Sequence, residues 1–444
     1  MRSFRSLLIL IALLGGLLAY LYFVDAKKPV EQTEEKTKVF AGLDADKIDE
    51  LKVSTIAGGV ASLQKGADGW KLTEPTAAKA DESEVNGITS NLSSLTVERV
   101  VDEAPANLGD YGLKEPVIEV SFKSKGDKSF RTLLVGTKTP TGSDMYAKLA
   151  NEKKVFLVQG YLESTFNRQP FDLRDKRILS IERDKVDRLE IVNGDSTVML
   201  TKGAGDWKIA SPVAARGDFG TIEGLVSRLQ SAEMKSIAAE NPTDMKQYGL
   251  DKPAVLVTIG LGSARAQLAL GAKTDKGDVY ARDLSKSIVV TVAPDLLTEL
   301  QKGANDLRRK DIFEFRAYNL TRVELTRGAT TLVAEKVKGK GKDAAGTWQN
   351  VATKKPLDAA KFEAFLTKLS GFRAQSFADP KAKTGLDQPV LTVKATYDDG
   401  KKTESVNFGR VGSDVFAGRP DEPGAAKLDA AEFEGTLKDL DAFK

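Results

Sequence analysis

Tyr111-Gly112-Leu113-Lys114-Glu115-Pro116 returns as Tyr248-Gly249-Leu250-Asp251-Lys252-Pro253 and again as Thr384-Gly385-Leu386-Asp387-Gln388-Pro389. The three glycines stand 137 and 136 residues apart. Each element is preceded by one of the chain's three tryptophans, Trp70, Trp207 and Trp348, and each tryptophan is followed by a proline, Pro75, Pro212 or Pro356. One unit is therefore written three times. A period this long exceeds the roughly 20–50 residues of a solenoid repeat, so each copy is expected to be a domain with its own core. The expected spans are 39–177, 178–311 and 312–444.

A single secondary-structure reading serves all three copies. Alternating strands open them at Ile48 to Val53, Val186 to Val192 and Leu320 to Thr326. A hairpin leads to the tryptophan strand through Gly/Asp turns in two copies and a longer Gly/Lys loop in the third. Helices opened by an acidic residue follow, Asp81 to Leu95, Asp218 to Leu229 and Asp358 to Leu369. In the last, Phe362, Phe365, Leu366 and Leu369 form an apolar stripe at helical spacing. Strands resume at Val117 to Phe122, Ala254 to Ile259 and Val390 to Tyr397, and each copy ends in a further helix. Strands, helix, strands, helix is the order of an α+β fold with mainly antiparallel sheets and packed helices. The glycine of Gly-Leu-x-x-Pro is expected at positive φ, and the tryptophans are expected in the cores.

Leu7 to Val24 is an unbroken run of apolar or small residues. As a helix it would span about 27 Å, close to the ~30 Å hydrocarbon core of a bilayer. Arg2 and Arg5 precede it, and Tyr20, Tyr22 and Phe23 lie at its far end, the arrangement of a signal-anchor with its amino terminus inside. Residues 1–25 are thus expected to be one N-terminal transmembrane helix and 26–38 a polar stalk, with the bulk of the chain outside the cytoplasm. Cleavage near Val24-Asp25-Ala26 is the competing reading.

The chain has no histidine and no cysteine. That excludes imidazole bases, thiol nucleophiles, thiolate or imidazole metal sites, and disulfides. With 66 basic and 63 acidic residues, no broad positive field draws in nucleic acid. The basic tract Lys336 to Lys342 is broken by glycines and reads as a solvated hairpin tip. No phosphate-binding glycine loop is present. No catalytic residue, cofactor or metal ion is expected.

Two recurring features are candidate sites. A loop with glycine and an acid, ending Asp144-Met-Tyr146-Ala147, Asp278-Val-Tyr280-Ala281 and Asp414-Val-Phe416-Ala417, offers Asp144, Asp278 and Asp414 as possible ligands for a cation or hydroxyl-rich molecule. A plain hairpin turn accounts for it equally well, the aromatic that follows then filling the core of its copy. At the repeat ends, Asp172-Leu173-Arg174 and Asp306-Leu307-Arg308 keep an arginine that Asp439-Leu440-Asp441 lacks. Arg174 and Arg308 are therefore expected to bridge consecutive repeats.

Taken as a set, Trp-x-[Leu/Ile]-x-x-Pro, Gly-Leu-x-x-Pro, the Asp-x-[Tyr/Phe]-Ala loop and Asp-Leu-Arg-x-Lys resemble the domain-of-unknown-function 4340 family, over essentially all residues from 39 onward. The resemblance implies a membrane-anchored protein of the bacterial envelope. It implies a non-enzymatic accessory or scaffold role beside an ABC-type, gliding-associated transport system, on the periplasmic face of the inner membrane. Its partners would be envelope or transporter membrane proteins, and residues 7–24 its contact with the membrane. A glycan- or lipid-binding module is the alternative, and a hydrolase with a Ser/Lys or carboxylate pair the third.

Overall fold

The computed structural model describes residues 37–337 and 346–443. The expected transmembrane helix and nearly all of the stalk lie outside the described residues, as does most of the basic tract. Among the described residues no helix is long and apolar enough to cross a membrane. The chain divides into two compact units, one ending at Asp175 and the other beginning at Lys176. The first holds one antiparallel sheet and the second holds two.

The first sheet comprises β1 (Ile48–Thr55), β2 (Gly59–Gly66), β3 (Gly69–Glu74), β4 (Ala78–Lys79), β5 (Arg99–Asp102), β6 (Ile118–Ser124), β7 (Arg131–Lys138), β8 (Asp144–Leu149) and β9 (Val155–Gln159). Its spatial order is β4-β3-β2-β1-β6-β7-β8-β9-β5. Helix α1 (Glu82–Ser94) carries the chain from one edge, at β4, to the other, at β5. Period-2 alternation buries Leu51, Val53, Val120 and Phe122 on one face. A bulge between Ile48 and Glu50 lets Ile48 and Leu51, three apart, share that face. Onto it α1 lays Val85, Ile88 and Leu92. Each such side chain contributes roughly 1.5–3 kcal/mol through loss of apolar surface to water.

The second sheet repeats this order strand for strand, from Arg188–Asn193 to Val289–Val292, with Ser236–Ala239 closing the far edge. The third repeats it with eight strands, because Pro356 keeps only an isolated bridge to Gln349 where the others have a short strand. The three central helices are Glu82–Ser94, Phe219–Gln230 and Ala359–Ser370. Asp81, Asp218 and Asp358 cap them by accepting backbone N–H bonds in the first turn. The terminal helices diverge most, from Leu162–Phe166 in the first copy to Ala430–Asp441 in the third.

Trp70, Trp207 and Trp348 are 1%, 2% and 0% exposed. The cross-strand neighbour of each is a lysine, Lys65, Lys202 or Lys336, whose ammonium lies 5.5–5.9 Å from the ring centroid. Gly112, Gly249 and Gly385 adopt φ of 65°, 64° and 69°. One expectation is corrected. In the first two copies the aromatic after the Gly/Asp loop does not fill the core, because strand alternation turns the preceding residue inward. Met145 and Val279 are the buried side chains, whereas Tyr146 and Tyr280 are half-buried and meet Tyr111 and Tyr248 edge-on at 5.1 Å. Only Phe416 is buried.

Candidate functional site at the junction of the second and third sheets

The end of the second copy is held as a clamp. Helix Ala304–Leu307 drives Leu307 into the core, and the Leu307 carbonyl accepts from Asp218 N at 2.8 Å. Arg309 N donates to the Arg216 carbonyl at 2.9 Å, so Arg308 pairs as an added bridge with Gly217. The first copy does the same within its own unit. Asp81 N donates to the Leu173 carbonyl, Asp175 N to the Lys79 carbonyl, and Arg174 pairs with Ala80. In the third copy Asp439 and Leu440 fall inside a helix, and Asp439 and Asp441 accept from Lys368 and Arg327 of the same copy.

Held in this way, the Arg308 side chain is only 6% exposed and reaches strand Glu422–Leu428 of the third sheet. Its guanidinium lies 3.9 Å from the centroid of the Phe377 ring, and Nη2 donates to Glu422 Oε1 at 3.3 Å and to the Pro423 carbonyl at 3.5 Å. Arg216, on the short strand Ala215–Arg216, donates to the same carboxylate from Nε at 2.9 Å and from its backbone N at 3.2 Å. Arg216 Nη2 reaches the carbonyls of Asp311 and Ile312, and Nη1 lies 3.6 Å from Glu314.

A second buried pair stands behind the first. Arg419 donates from Nη1 to Glu404 Oε2 at 2.5 Å. The Glu404 side chain, 1% exposed, also accepts from the backbone N of Glu314 and Phe315. The Tyr397 hydroxyl donates to Glu314 at 3.1 Å.

Burial works against ionisation of Glu314, but Arg216, the Tyr397 hydroxyl, Arg309 and Arg419 outweigh it and hold the carboxyl below its ordinary range. Burial also lowers the Arg308 guanidinium, with Glu422 opposing that shift. The Tyr397 phenol is raised by burial and by Glu314 and Glu404. A cleft of about 310 Å³ opens beside the network, lined by Asp379, Thr384, Leu386, Asn407, Arg419 and Glu422 among others.

This arrangement is suited to fixing two sheets against each other. Glu422 and Glu404 are each held by arginine and backbone N–H donors, and Glu314 accepts from the Tyr397 hydroxyl beside Arg216.

Of the residues singled out in the sequence, Arg308 is in this network. Arg174 occupies the matching backbone position at the end of the first unit. Asp144, Asp278 and Asp414 sit separately, one per sheet, each beginning or adjoining a strand after a hairpin turn. The turns use Gly142, Gly277 and Gly412 at positive φ. Asp144 accepts from the Ser143 hydroxyl, Asp278 from Lys235 at 2.5 Å, and Asp414 pairs with Lys427 at 2.9 Å. Among the described residues no group of three or more acidic side chains could hold a metal ion.

Sequence reasoning missed Arg216, Glu314, Glu404, Arg419 and Glu422. Glu404 did leave a signal, since it shares the inward register of Val406 and Phe408 on one strand. A carboxylate on the apolar face of an alternating strand requires a buried partner.

A family model for a domain of unknown function (DUF4340) matches residues 70–208 and 207–389. These matches span more than half of the chain, which belongs to that family. The model detects two copies, where the structure has three sheets of one topology. Its first match runs from one tryptophan strand to the next and so begins inside the first sheet and ends inside the second. No curated protein and no solved structure matches the chain.

Proposed function

We propose that this protein is a non-enzymatic accessory or scaffold of the bacterial inner membrane, anchored once through residues 7–24 with its repeats on the periplasmic side. It would work beside an ABC-type, gliding-associated transport system. The observation that carries the scaffold reading is the junction. Arg216 and Arg308 both commit their side chains to Glu422, a use of buried charge suited to fixing the geometry of two sheets. Three sheets with filled cores supply broad outer faces for protein contacts.

The test is direct. A reporter fused after Lys444 should be active only outside the cytoplasm, and the full-length chain should stay in membranes through a carbonate wash. Cross-linking in intact cells should then join it to membrane components of a transporter. A soluble chain beginning near Lys27 would remove the anchor, and cross-links confined to non-transport proteins would remove the transporter assignment.

One observation favours the second reading, a lipid- or glycan-binding module. A cleft of about 420 Å³ in the first unit is lined by Val39, Phe40, Phe130, Arg131 and Leu149. Phe130 is 40% exposed there, with the Lys123 ammonium 4.4 Å from its ring centroid. Loss of vesicle or glycan binding in a Phe130→Ser variant would support that reading.

A further inference from the structure

The first copy has its own version of the surface on which the third receives the second, with different chemistry. Gly136 and Gly409 are matched by their close approach to Tyr111 and Thr384, which aligns Arg131 with Glu404 and Phe130 with Thr403. Ala147 pairs with Phe156 and Ala417 with Ala426, which aligns Leu149 with Arg419 and Glu152 with Glu422. Val39 N donates to the Leu95 carbonyl as Ile312 N does to that of Phe372, so Ala41 answers to Glu314. Of the carboxylates that face arginines in the third copy, Glu314, Glu404 and Glu422, the first copy keeps only the last, as Glu152. Instead of ion pairs it has the cleft of about 420 Å³ walled by Val39, Phe40, Phe130, Arg131 and Leu149. The loops beside the cleft are basic. Asp127 and Glu152 face Arg131 and Lys154, and Lys123 is held by Glu50. Lys125, Lys128 and Lys153 are exposed and have no carboxylate partner among the described residues.

We infer that this cleft and its lysine rim are a docking surface for the anionic phospholipid headgroups of the bilayer that holds the chain's own anchor. The inference rests on the anchor reading above and narrows the lipid reading of the cleft to one ligand class. Position selects the occupant. Val39 and Ala41 line the cleft, and Thr37, just before them, stands 13 residues (37 − 24) beyond Val24, the end of the apolar run. A chain of that length reaches at most about 45 Å, so the anchor holds the first copy close to the headgroups. Chemistry selects it as well. Unpaired lysines beside an exposed phenylalanine suit an anionic interface, where the charges meet phosphates and the ring enters the acyl boundary. A basic protein arm like that of the second copy would meet Arg131 where the third copy offers Glu404, and Ala41 where it offers Glu314.

The chain has no cysteine, so a Phe130→Cys variant carries a single fluorophore. Full-length protein is inserted into nanodiscs of phosphatidylcholine, with or without phosphatidylglycerol, that contain a headgroup-region spin-labelled lipid as quencher. Ile56→Cys, in the exposed turn at the other end of β1, is the control. Quenching at position 130 should exceed that at 56 in the anionic discs and should fall in neutral discs and at high salt. With the label at 130, Lys125→Gln and Lys128→Gln should each weaken docking roughly fivefold while leaving the melting temperature unchanged. A chain that does not co-elute with the discs removes the anchor reading and this inference with it. A chain that co-elutes while positions 130 and 56 are quenched alike, or without regard to lipid charge, overturns the docking alone. Photo-cross-linking in cells from residue 130 to protein and not to lipid would do the same.

Discussion

Glu223 accepts a hydrogen bond of 2.8 Å from the indole Nε1 of Trp207, and neither of the other two tryptophans has such a partner. Lys202 and Arg183 donate to the same carboxylate at 2.7 and 3.0 Å. Three copies of one fold therefore treat an equivalent buried indole differently. The second copy places a carboxylate on its helix beside the indole, and the first has Asn86 at the matching helical position.

This difference sets a pH dependence. Burial opposes ionisation of Glu223, but hydrogen bonds from Lys202, Trp207 and Arg183 prevail and lower its pKa from 4.5 to about 2. The folded value lies below the unfolded one. The stabilisation is therefore complete above pH 4.5 and is lost as pH falls toward 2. For a side chain 9% exposed the shift corresponds to about 3 kcal/mol at neutral pH. Urea unfolding of wild type and Glu223→Gln, compared at pH 7 and pH 3, should show the gap between them closing in acid.

The tryptophans themselves should respond unequally to phenylalanine. Trp207→Phe deprives a buried carboxylate of a donor, a loss of about 1.5–3 kcal/mol for a bond to a charged group. Trp70→Phe and Trp348→Phe remove indole N–H groups that make no bond, and should be milder. Trp→Ala at any of the three should cost about 3–5 kcal/mol through the void left behind. Equilibrium unfolding of the single variants checks the order. Emission of the wild-type protein should be blue-shifted and poorly quenched by iodide.

A second set of glycines should be less tolerant than the turn glycines Gly142, Gly277 and Gly412, which have open space around them. A Cβ on Gly136, Gly271 or Gly409 would stand 2.0, 2.1 or 2.3 Å from the carbonyl oxygen of Tyr111, Tyr248 or Thr384. Backbone must move to admit it, so each Gly→Ala change should destabilise by about 1–3 kcal/mol or more. Gly142→Asn, at a turn with open space and φ of 77°, should be nearly neutral. Melting temperatures of these variants separate close approach from backbone conformation.

At the junction, Arg308→Ala leaves Glu422 short of a donor in a buried setting and should cost about 3–5 kcal/mol. Limited proteolysis should then speed up near residues 305–318. A double variant, Arg308→Met with Glu422→Leu, removes both charges and should recover part of the loss. Additive effects in that cycle would show that the two side chains are not coupled.

The sequence by itself determined the features that a short window can encode. Helix starts at Asp81, Asp218 and Asp358 follow from side chains that cap their own first turn, and Gly112, Gly249 and Gly385 from a backbone angle that disfavours a Cβ. The alternation that sets Glu404 on the face of Val406 and Phe408 was also present in the sequence, though the sequence reading did not use it. Only the tertiary structure decided what closes each sheet and what meets whom. The far-edge strands Arg99–Asp102 and Ser236–Ala239 pair with strands reached by long crossovers. Arg308 finds Glu422 114 residues further along the chain. Such contacts have no local periodicity to announce them. They are chosen when apolar faces collapse, and each charge carried inward must then find whatever opposite charge the packed neighbour presents.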